Sequence, residues 1–306
     1  NKDGGPAPKG LALDPGSVRF SAKDPQISGV PNTMVFDYDV SGVEADSFFI
    51  QQSWDPRMRD KIPKDGSILT TTYYYPGPHT AKLIANDSVI KETKVNITTK
   101  DWVGLAIGNP MLAVPTIIGA DPPINNGDLH ITKEQLVGNK VAIDKNTAVG
   151  YYYVPRSGFI DGERFTVSAR IRSDSLLNLG CPKIGLMVLG ENDYHTVTLV
   201  QRGCGGEAMV KLGEKILDGK YVDLSKLACD VFQWQSLTME VRDLAARLFL
   251  NGKEIHSTGY SGDIGKILGF GIYFSGSGLI DRFELRDGNG EIVYKDDFTK
   301  DSEQSI

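Results

Sequence analysis

The chain has 306 residues, which at about 150 residues per domain predicts two domains. Hydrophobic residues at 40% and charged residues at 24% describe a globular chain rather than a disordered one, and 34 glycines favour many tight turns between short strands. The formal charge of −6 advertises no strongly basic face for nucleic acid, and no nucleic-acid partner is expected.

Asn1-Lys2-Asp3-Gly4-Gly5-Pro6 contains no initiating Met, basic n-region or apolar h-region, which reads as a mature form after removal of a targeting segment. Residues 1–16 read as a flexible tether, and an anchor upstream of residue 1 is compatible with it. Six segments then alternate apolar and polar residues as half-buried strands do: 17–23, 33–40, 47–54, 68–75, 79–85 and 89–98. Turn clusters such as Lys64-Asp65-Gly66 and Asn86-Asp87-Ser88 separate them, which predicts a small β-sandwich over residues 17–100.

Tyr73-x-x-x-Gly77-x-His79-x-Ala81-x-Leu83-x-Ala85 resembles the Y-x-x-x-G-x-Y-x-V-x-L-x-V run of PKD-type immunoglobulin-like domains. Trp54-Asp55 matches the start of that family's W-D-F-G-D-G turn, and the Gly-Asp-Gly part is missing. The resemblance implies a spacer or interaction module of an extracellular protein. With IQQSWDPRMR and YYYPGPHTAKLI it is similar to PKD-like regions of extracytoplasmic proteins from Bacteroidetes-type bacteria, where a lectin-like domain follows. Trp54 is a candidate sugar-stacking ring. In the run Tyr73-Tyr74-Tyr75, strand geometry sends Tyr73 and Tyr75 to one side and Tyr74 to the other, so at least one face is core.

Residues 103–120 carry no charge over 18 positions, close to the length of a membrane span. Pro110 and Pro115 break the helix that a span requires, so 101–118 reads as an apolar inter-domain connection and no membrane span is expected.

From 119 to 299 the strand pattern continues in longer strands at 128–136, 147–154, 164–173, 183–190, 194–202, 207–212, 236–242, 245–251, 253–258, 268–274, 278–287 and 291–298. Asn251-Gly252 and Asn289-Gly290 are hairpin signals. Helix is limited to one short turn at Leu224–Ala228, and residues 300–306 form a tail. About a dozen strands predict a larger two-sheet sandwich.

Three elements in this half resemble the concanavalin A-like, or laminin-G-like, jelly-roll superfamily. They are the strand Trp234-Gln235-Ser236-Leu237-Thr238-Met239-Glu240-Val241, the hairpin Arg247-Leu248-Phe249-Leu250-Asn251-Gly252-Lys253-Glu254-Ile255, and the closing strand Gly278-Leu279-Ile280-Asp281-Arg282-Phe283-Glu284-Leu285. The predicted fold class is therefore all-β: a small Ig-like, PKD-like sandwich followed by a larger concanavalin A-like jelly roll. Gly127–Ile131 is expected to pair with the terminal strand Glu291–Phe298 and close the domain.

The three cysteines and four histidines offer no zinc-ligand spacing. With a hairpin turn centred on Asn192-Asp193, residues whose numbers total 385 face each other, and Cys181 and Cys204 do so. The expectation is a Cys181–Cys204 disulfide with Cys229 free, against three buried thiols if the register slips. A disulfide implies an oxidising, extracytoplasmic compartment, periplasmic or at the cell surface.

Glucanases on this fold carry E-x-D-x-E on one strand so that two acids share a face. Glu240 and Asp243 stand three apart, as do Glu284 and Asp287, which puts each pair on opposite faces. No nucleophile elbow, phosphate loop or dinucleotide motif occurs. The sequence thus predicts a non-enzymatic binding protein whose partner is a glycan or a cell-envelope protein. A structural or sensory ectodomain and an atypical glycoside hydrolase are the alternatives. Candidate sugar-binding residues are Tyr194 and His195 beyond a hairpin turn, with Tyr152, Tyr260 and Trp54. Trp234 reads as core. No cofactor is expected apart from a structural calcium ion, for which Asp121, Asn125, Asn126 and Asp128 form an oxygen-rich loop that also reads as a plain turn.

Overall fold

The computed structural model describes residues 18–23, 25, 27–52, 57–107, 114–119, 123–177 and 179–299. The fold is all-β, and the chain divides into two compact units. One comprises residues up to Ile27, Pro31–Tyr73 and His79–Ile97. The other comprises Ser28–Val30, Tyr74–Pro78 and everything from Thr98 onward.

Among the described residues, the smaller unit has seven strands, β1 (Arg19–Lys23), β2 (Asn32–Asp39), β3 (Phe48–Gln51), β4 (Arg59–Ile62), β5 (Ile68–Tyr73), β6 (Gly77–Ala85) and β7 (Ser88–Ile97). They form two sheets, ordered β1-β2-β5 and β4-β3-β6-β7. Alternation builds the core: Met34, Phe36 and Tyr38 on β2 are buried while the residues between them are not. Phe20 stacks on Phe36 at 5.4 Å. Tyr73 is fully buried, with His79 against its ring at 5.0 Å, so this tyrosine is core and not a ligand platform. β4 falls outside the predicted strands because Arg59, Asp60 and Lys61 are all exposed and show no alternation. Trp54 lies outside the described residues.

The larger unit begins with β8 (Val103–Ile107), β9 (Thr116–Ile118), β10 (Ile124–Asn125), β11 (Asp128–His130) and a one-and-a-half-turn helix α1 (Lys133–Gly138). It continues through β12 (Ala148–Tyr153), β13 (Arg164–Ser173), β14 (Lys183–Gly190), β15 (Tyr194–Gln201), β16 (Met209–Leu212), β17 (Lys215–Asp218) and β18 (Ala228–Cys229). It ends with β19 (Gln235–Arg242), β20 (Ala245–Leu250), β21 (Lys253–Gly259), β22 (Ile267–Ser275), β23 (Gly278–Asp287) and β24 (Ile292–Asp296). One sheet runs β17-β16-β15-β14-β22-β12-β8-β9, with β18 added to β15. The other runs β10-β11-β23-β13-β19-β20-β21, with β24 added to β23. Alternate residues from both sheets, among them Val149, Val167, Leu186, Leu237, Ile272 and Phe283, fill one buried core.

Four expectations are corrected here. The uncharged stretch is not a connection: Val103–Ile107 and Thr116–Ile118 are strands of the larger sheet, and their lack of charge reflects sheet burial. The segment 128–136 is a strand only to His130. Thr132 then caps α1, its Oγ1 accepting from the Gln135 N–H while Gln135 Oε1 accepts from the Thr132 N–H, a capping box legible as T-x-x-Q. β11 and the terminal strand β24 do not pair with each other. β11 and β24 lie in tandem along β23, at Ile280–Leu279 and Phe283–Arg286 respectively.

The fourth correction concerns register. The Cys181–Cys204 disulfide is present, with Cα atoms 5.8 Å apart and Cys229 free and buried. The β14–β15 ladder, however, pairs residues whose numbers total 383, as in Lys183↔Val200, so Cys181 faces beyond the ladder toward Arg202. A turn through Arg202 and Gly203, closed by the Cys204 N–H to Gln201 carbonyl hydrogen bond at 2.9 Å, carries Cys204 back to it. Gly203 makes that turn at φ +87°, a conformation glycine adopts freely. Denatured, unreduced protein is expected to titrate one thiol and reduced protein three; three thiols without reduction would contradict the bridge.

Candidate functional site

The outward face of the nine-stranded sheet carries the candidate site. On β15 the core takes Val197 and Leu199, so Tyr194, Thr196 and Thr198 point the other way. Register then lays out two rows across the strands. One is Met209, Thr198, Gly185, Tyr273, Gly150 and Leu105. The next is Lys211, Thr196, Met187, Gly271, Tyr152 and Val103. Glycines and tyrosines alternate in these rows, and each missing side chain is filled by a neighbouring ring. The Tyr273 ring lies where a Cβ on Gly185 would stand. The Tyr152 ring passes 2.8 Å from a Cβ built on Gly150 and 2.9 Å from one built on Gly271. The rings therefore fill the space over the glycines on the face turned from the core, where Tyr152 and Tyr273 are half-buried and Thr196, Thr198 and Leu105 are buried.

Polar groups frame the rings. Tyr273 OH and Thr198 Oγ1 share a hydrogen bond of 2.8 Å. Lys211 Nζ sits 4.0 Å over the Tyr194 ring and donates to Asp193 Oδ1 at 2.5 Å and to the Gly213 carbonyl at 2.6 Å. Burial, then the Asp193 charge and Tyr273, hold the Tyr194 hydroxyl above its ordinary pKa. Burial, then Tyr75 and Tyr273, do the same for Tyr152. Both phenols are thus neutral donors at physiological pH. The segment Tyr74–Pro78, part of this same unit, borders the rings: Tyr75 adjoins Tyr152, and a Cβ on Gly77 would stand 3.2 Å from Leu189.

The two rows contain no carboxylate, and Asp193 beside them is tied to Lys211. The arrangement places half-buried tyrosine rings beside hydroxyl groups and an ammonium held by Asp193 and Gly213, an aromatic and polar set of the kind that sugar rings meet.

Tyr194 and Tyr152 fall on this face. His195 does not. It follows Tyr194 on a strand, so it points inward, fully buried, stacked 6.2 Å from Phe165 and edge-on at 5.0 Å to Tyr260. Tyr260 borders a shallow open cavity with Glu214, Lys215, Gly259 and Ser261, away from the rows above. Tyr273 escaped the sequence reading, although Gly269-x-Gly271-x-Tyr273 is a visible signal: glycines on one face of a strand leave room for a ring on that face.

In the proposed calcium loop, Asp121 lies outside the described residues. Asn126 and Gly127 turn β10 into β11 with φ of +56° and +82°, the two-residue hairpin geometry that Asn-Gly favours. Asn125 Nδ2 is spent on the His130 carbonyl at 2.6 Å, and burial raises the Asp128 carboxyl above its ordinary pKa. Among the described residues, no three acidic, histidine or cysteine side chains gather as metal ligands would. Among the same residues no helix is long and apolar enough to cross a membrane.

Trp234 is not core. It precedes β19, whose odd-numbered residues are buried, so it stands on the outward face of the eight-stranded sheet. The guanidinium carbons of Arg170 and Arg172 lie 4.5 and 5.0 Å from its ring centroid.

Replacing Gly185 by alanine is expected to push Tyr273 off the sheet and break its bond to Thr198. Loss of the platform with little change in thermal midpoint, read by ligand titration and calorimetric scanning, is the expected pair of results. A variant that binds as the parent does would contradict the glycine's role.

No family model and no curated protein matches the chain. Solved structures similar to it include domain 4 of AbnA, an extracellular arabinanase of glycoside hydrolase family 43 from Geobacillus stearothermophilus in complex with arabinotriose. That match has 19% identity over 62% of this chain and 83% of that one, with a TM-score of 0.34. A Bacillus subtilis protein of unknown function with a galectin-like fold matches at 12% identity over 63% of this chain and 90% of that one, TM-score 0.36. A sialidase matches at 10% identity over 42% of this chain, with a TM-score of 0.29, and the chain spans 11% of its length.

Proposed function

We propose that the chain is a non-enzymatic extracytoplasmic binding protein whose larger sandwich holds a glycan against Tyr152, Tyr273 and Tyr194, with the smaller PKD-like unit as spacer. The observation that carries this reading is the set of glycines Gly185, Gly150 and Gly271 under the rings, which costs sheet stability and lets tyrosine rings pack over the sheet on the face turned from the core. Core packing does not explain it, since these residues face away from the core. The absence of carboxylates from the two rows supports binding over hydrolysis, because a glycosidase needs two such groups about 5–10 Å apart on one face. The disulfide supports an oxidising compartment.

A glycan array probed with the whole chain tests the proposal. Retention on a set of related neutral oligosaccharides is expected. A blank array across plant, microbial and host glycans would overturn it and leave a protein partner as the reading to pursue.

A further inference from the structure

The outward face of the eight-stranded sheet carries a second cluster, unrelated to the tyrosine rows. Arg170 and Arg172 follow each other on one face of β13, and Arg170 stands directly opposite Arg282 of β23. Like charges opposed across a ladder are destabilising, so a sheet has no structural reason to assemble three guanidiniums there. Just past that pair the β13–β23 register shifts, and the shift sets Asp281 into an ion pair with Arg170. Trp234 lies against both Arg170 and Arg172.

The neighbouring acids neutralise only part of the cluster. Asp281 is occupied by Arg170, and Asp174 is held by His130 Nε2 at 3.2 Å. Asp128 interacts electrostatically with Arg172 and Arg170 and, among the described residues, makes no ion pair with either. Among the described residues, neither Arg172 nor Arg282 has a carboxylate within ion-pair distance, and Arg172 Nε is shielded from water with no hydrogen-bond partner.

Of the two guanidiniums on the indole, Arg170 is paired with Asp281, and Arg172 has no carboxylate within ion-pair distance among the described residues. Its face is covered while the N–H donors at its edge stay available and are held in place, which lowers the entropy lost when an acceptor arrives. A carboxylate is the planar acceptor that a guanidinium fork fits with two parallel bonds. Trp234, half-buried beside the fork, offers apolar surface for the ring that bears the carboxylate.

We propose that Arg170, Arg172, Arg282 and Trp234 form a second binding site, for the carboxylate of an acidic saccharide. It stands independently of the tyrosine platform. Titration of the whole chain at low salt with tetragalacturonate, with galactotetraose as the neutral control and with sodium acetate as free carboxylate, tests it through heat and Trp fluorescence.

Saturable binding of tetragalacturonate is expected, with galactotetraose and acetate silent on this face. Arg282→Gln, an exposed position, is expected to weaken tetragalacturonate by about tenfold, the effect of one lost charge-assisted contact. Tyr273→Ala is expected to leave it unchanged. No binding of tetragalacturonate, or equal binding by Arg282→Gln, would overturn the proposal. Binding that Tyr273→Ala abolishes and Arg282→Gln spares would also overturn it, while supporting the platform. An acetate response matching that of tetragalacturonate would reduce the site to one for small anions and overturn its saccharide assignment.

Discussion

Trp102→Ala is expected to destabilise the larger unit by about 3–5 kcal/mol, the range for truncating a buried tryptophan. Trp102 is 1% exposed and sits where several rings converge: Tyr153 at 5.7 Å, Phe283 at 5.3 Å and Phe298 at 5.9 Å. Its Nε1 donates to the Tyr294 hydroxyl at 2.9 Å, and that hydroxyl donates in turn to Asp296 Oδ2 at 3.1 Å. The alanine variant loses the ring contacts and the first link of this chain together. Trp102→Phe keeps most of the volume and drops the N–H, so it is expected to cost about 1 kcal/mol plus a partial cavity term. Urea denaturation of both variants checks this; a loss below 1 kcal/mol for alanine would show that the core collapses onto the gap.

Acidification is expected to act through His195. Burial first, and the Lys211 charge second, lower its pKa from 6.5 to about 4. Its Nδ1 accepts from the Gly213 N–H at 3.0 Å, which assigns the proton to Nε2, and Nε2 has no partner among the described residues. Because the folded value is depressed, the unfolded chain binds a proton at pH values where the native chain refuses it. The stability is therefore complete above pH 6.5 and is lost as pH falls from 6.5 to 4. The full loss is about 3 kcal/mol, of which about 2 kcal/mol falls by pH 5, before most carboxylates titrate. Denaturation midpoints compared at pH 7.5 and pH 5 are expected to drop by this amount in the parent and by much less in His195→Gln. Equal midpoints in the parent at the two pH values would contradict the burial of a neutral imidazole.

Most of the larger unit was legible from strand alternation. The segments 164–173, 183–190 and 278–287 coincide with β13, β14 and β23, and alternation with a buried core face runs through most of each. What failed to show were elements without that contrast. β4 and β17 are short edge strands with most residues exposed or half-exposed, and α1 is too short to develop a periodic face. β8 and β9 hid in an uncharged stretch because they are buried strands broken by Pro110 and Pro115.

The candidate site was half legible, and parity explains which half. Tyr194 and His195 are consecutive on a strand, so only one of them can face outward; assigning both to a ligand contradicted the geometry that identified the strand. The same rule, applied back from Leu237, Met239 and Val241, places Trp234 outside. Tyr273 needed the pairing of four strands before its position over Gly185 and beside Gly150 could be seen, and long-range register is not written in any one segment. The disulfide is instructive in the opposite sense: the pair was right while the register behind it was off by two, since the bridge depends on the turn at Gly203 and not on a ladder position.

The central claim is that the glycine-floored tyrosines hold a sugar. Calorimetric titration of the best array oligosaccharide into the whole chain and into Tyr273→Ala tests it most directly. Base-rate costs for losing one stacked ring predict a drop in affinity of about tenfold or more, with the fold intact by its thermal midpoint. Unchanged affinity in Tyr273→Ala would contradict the account.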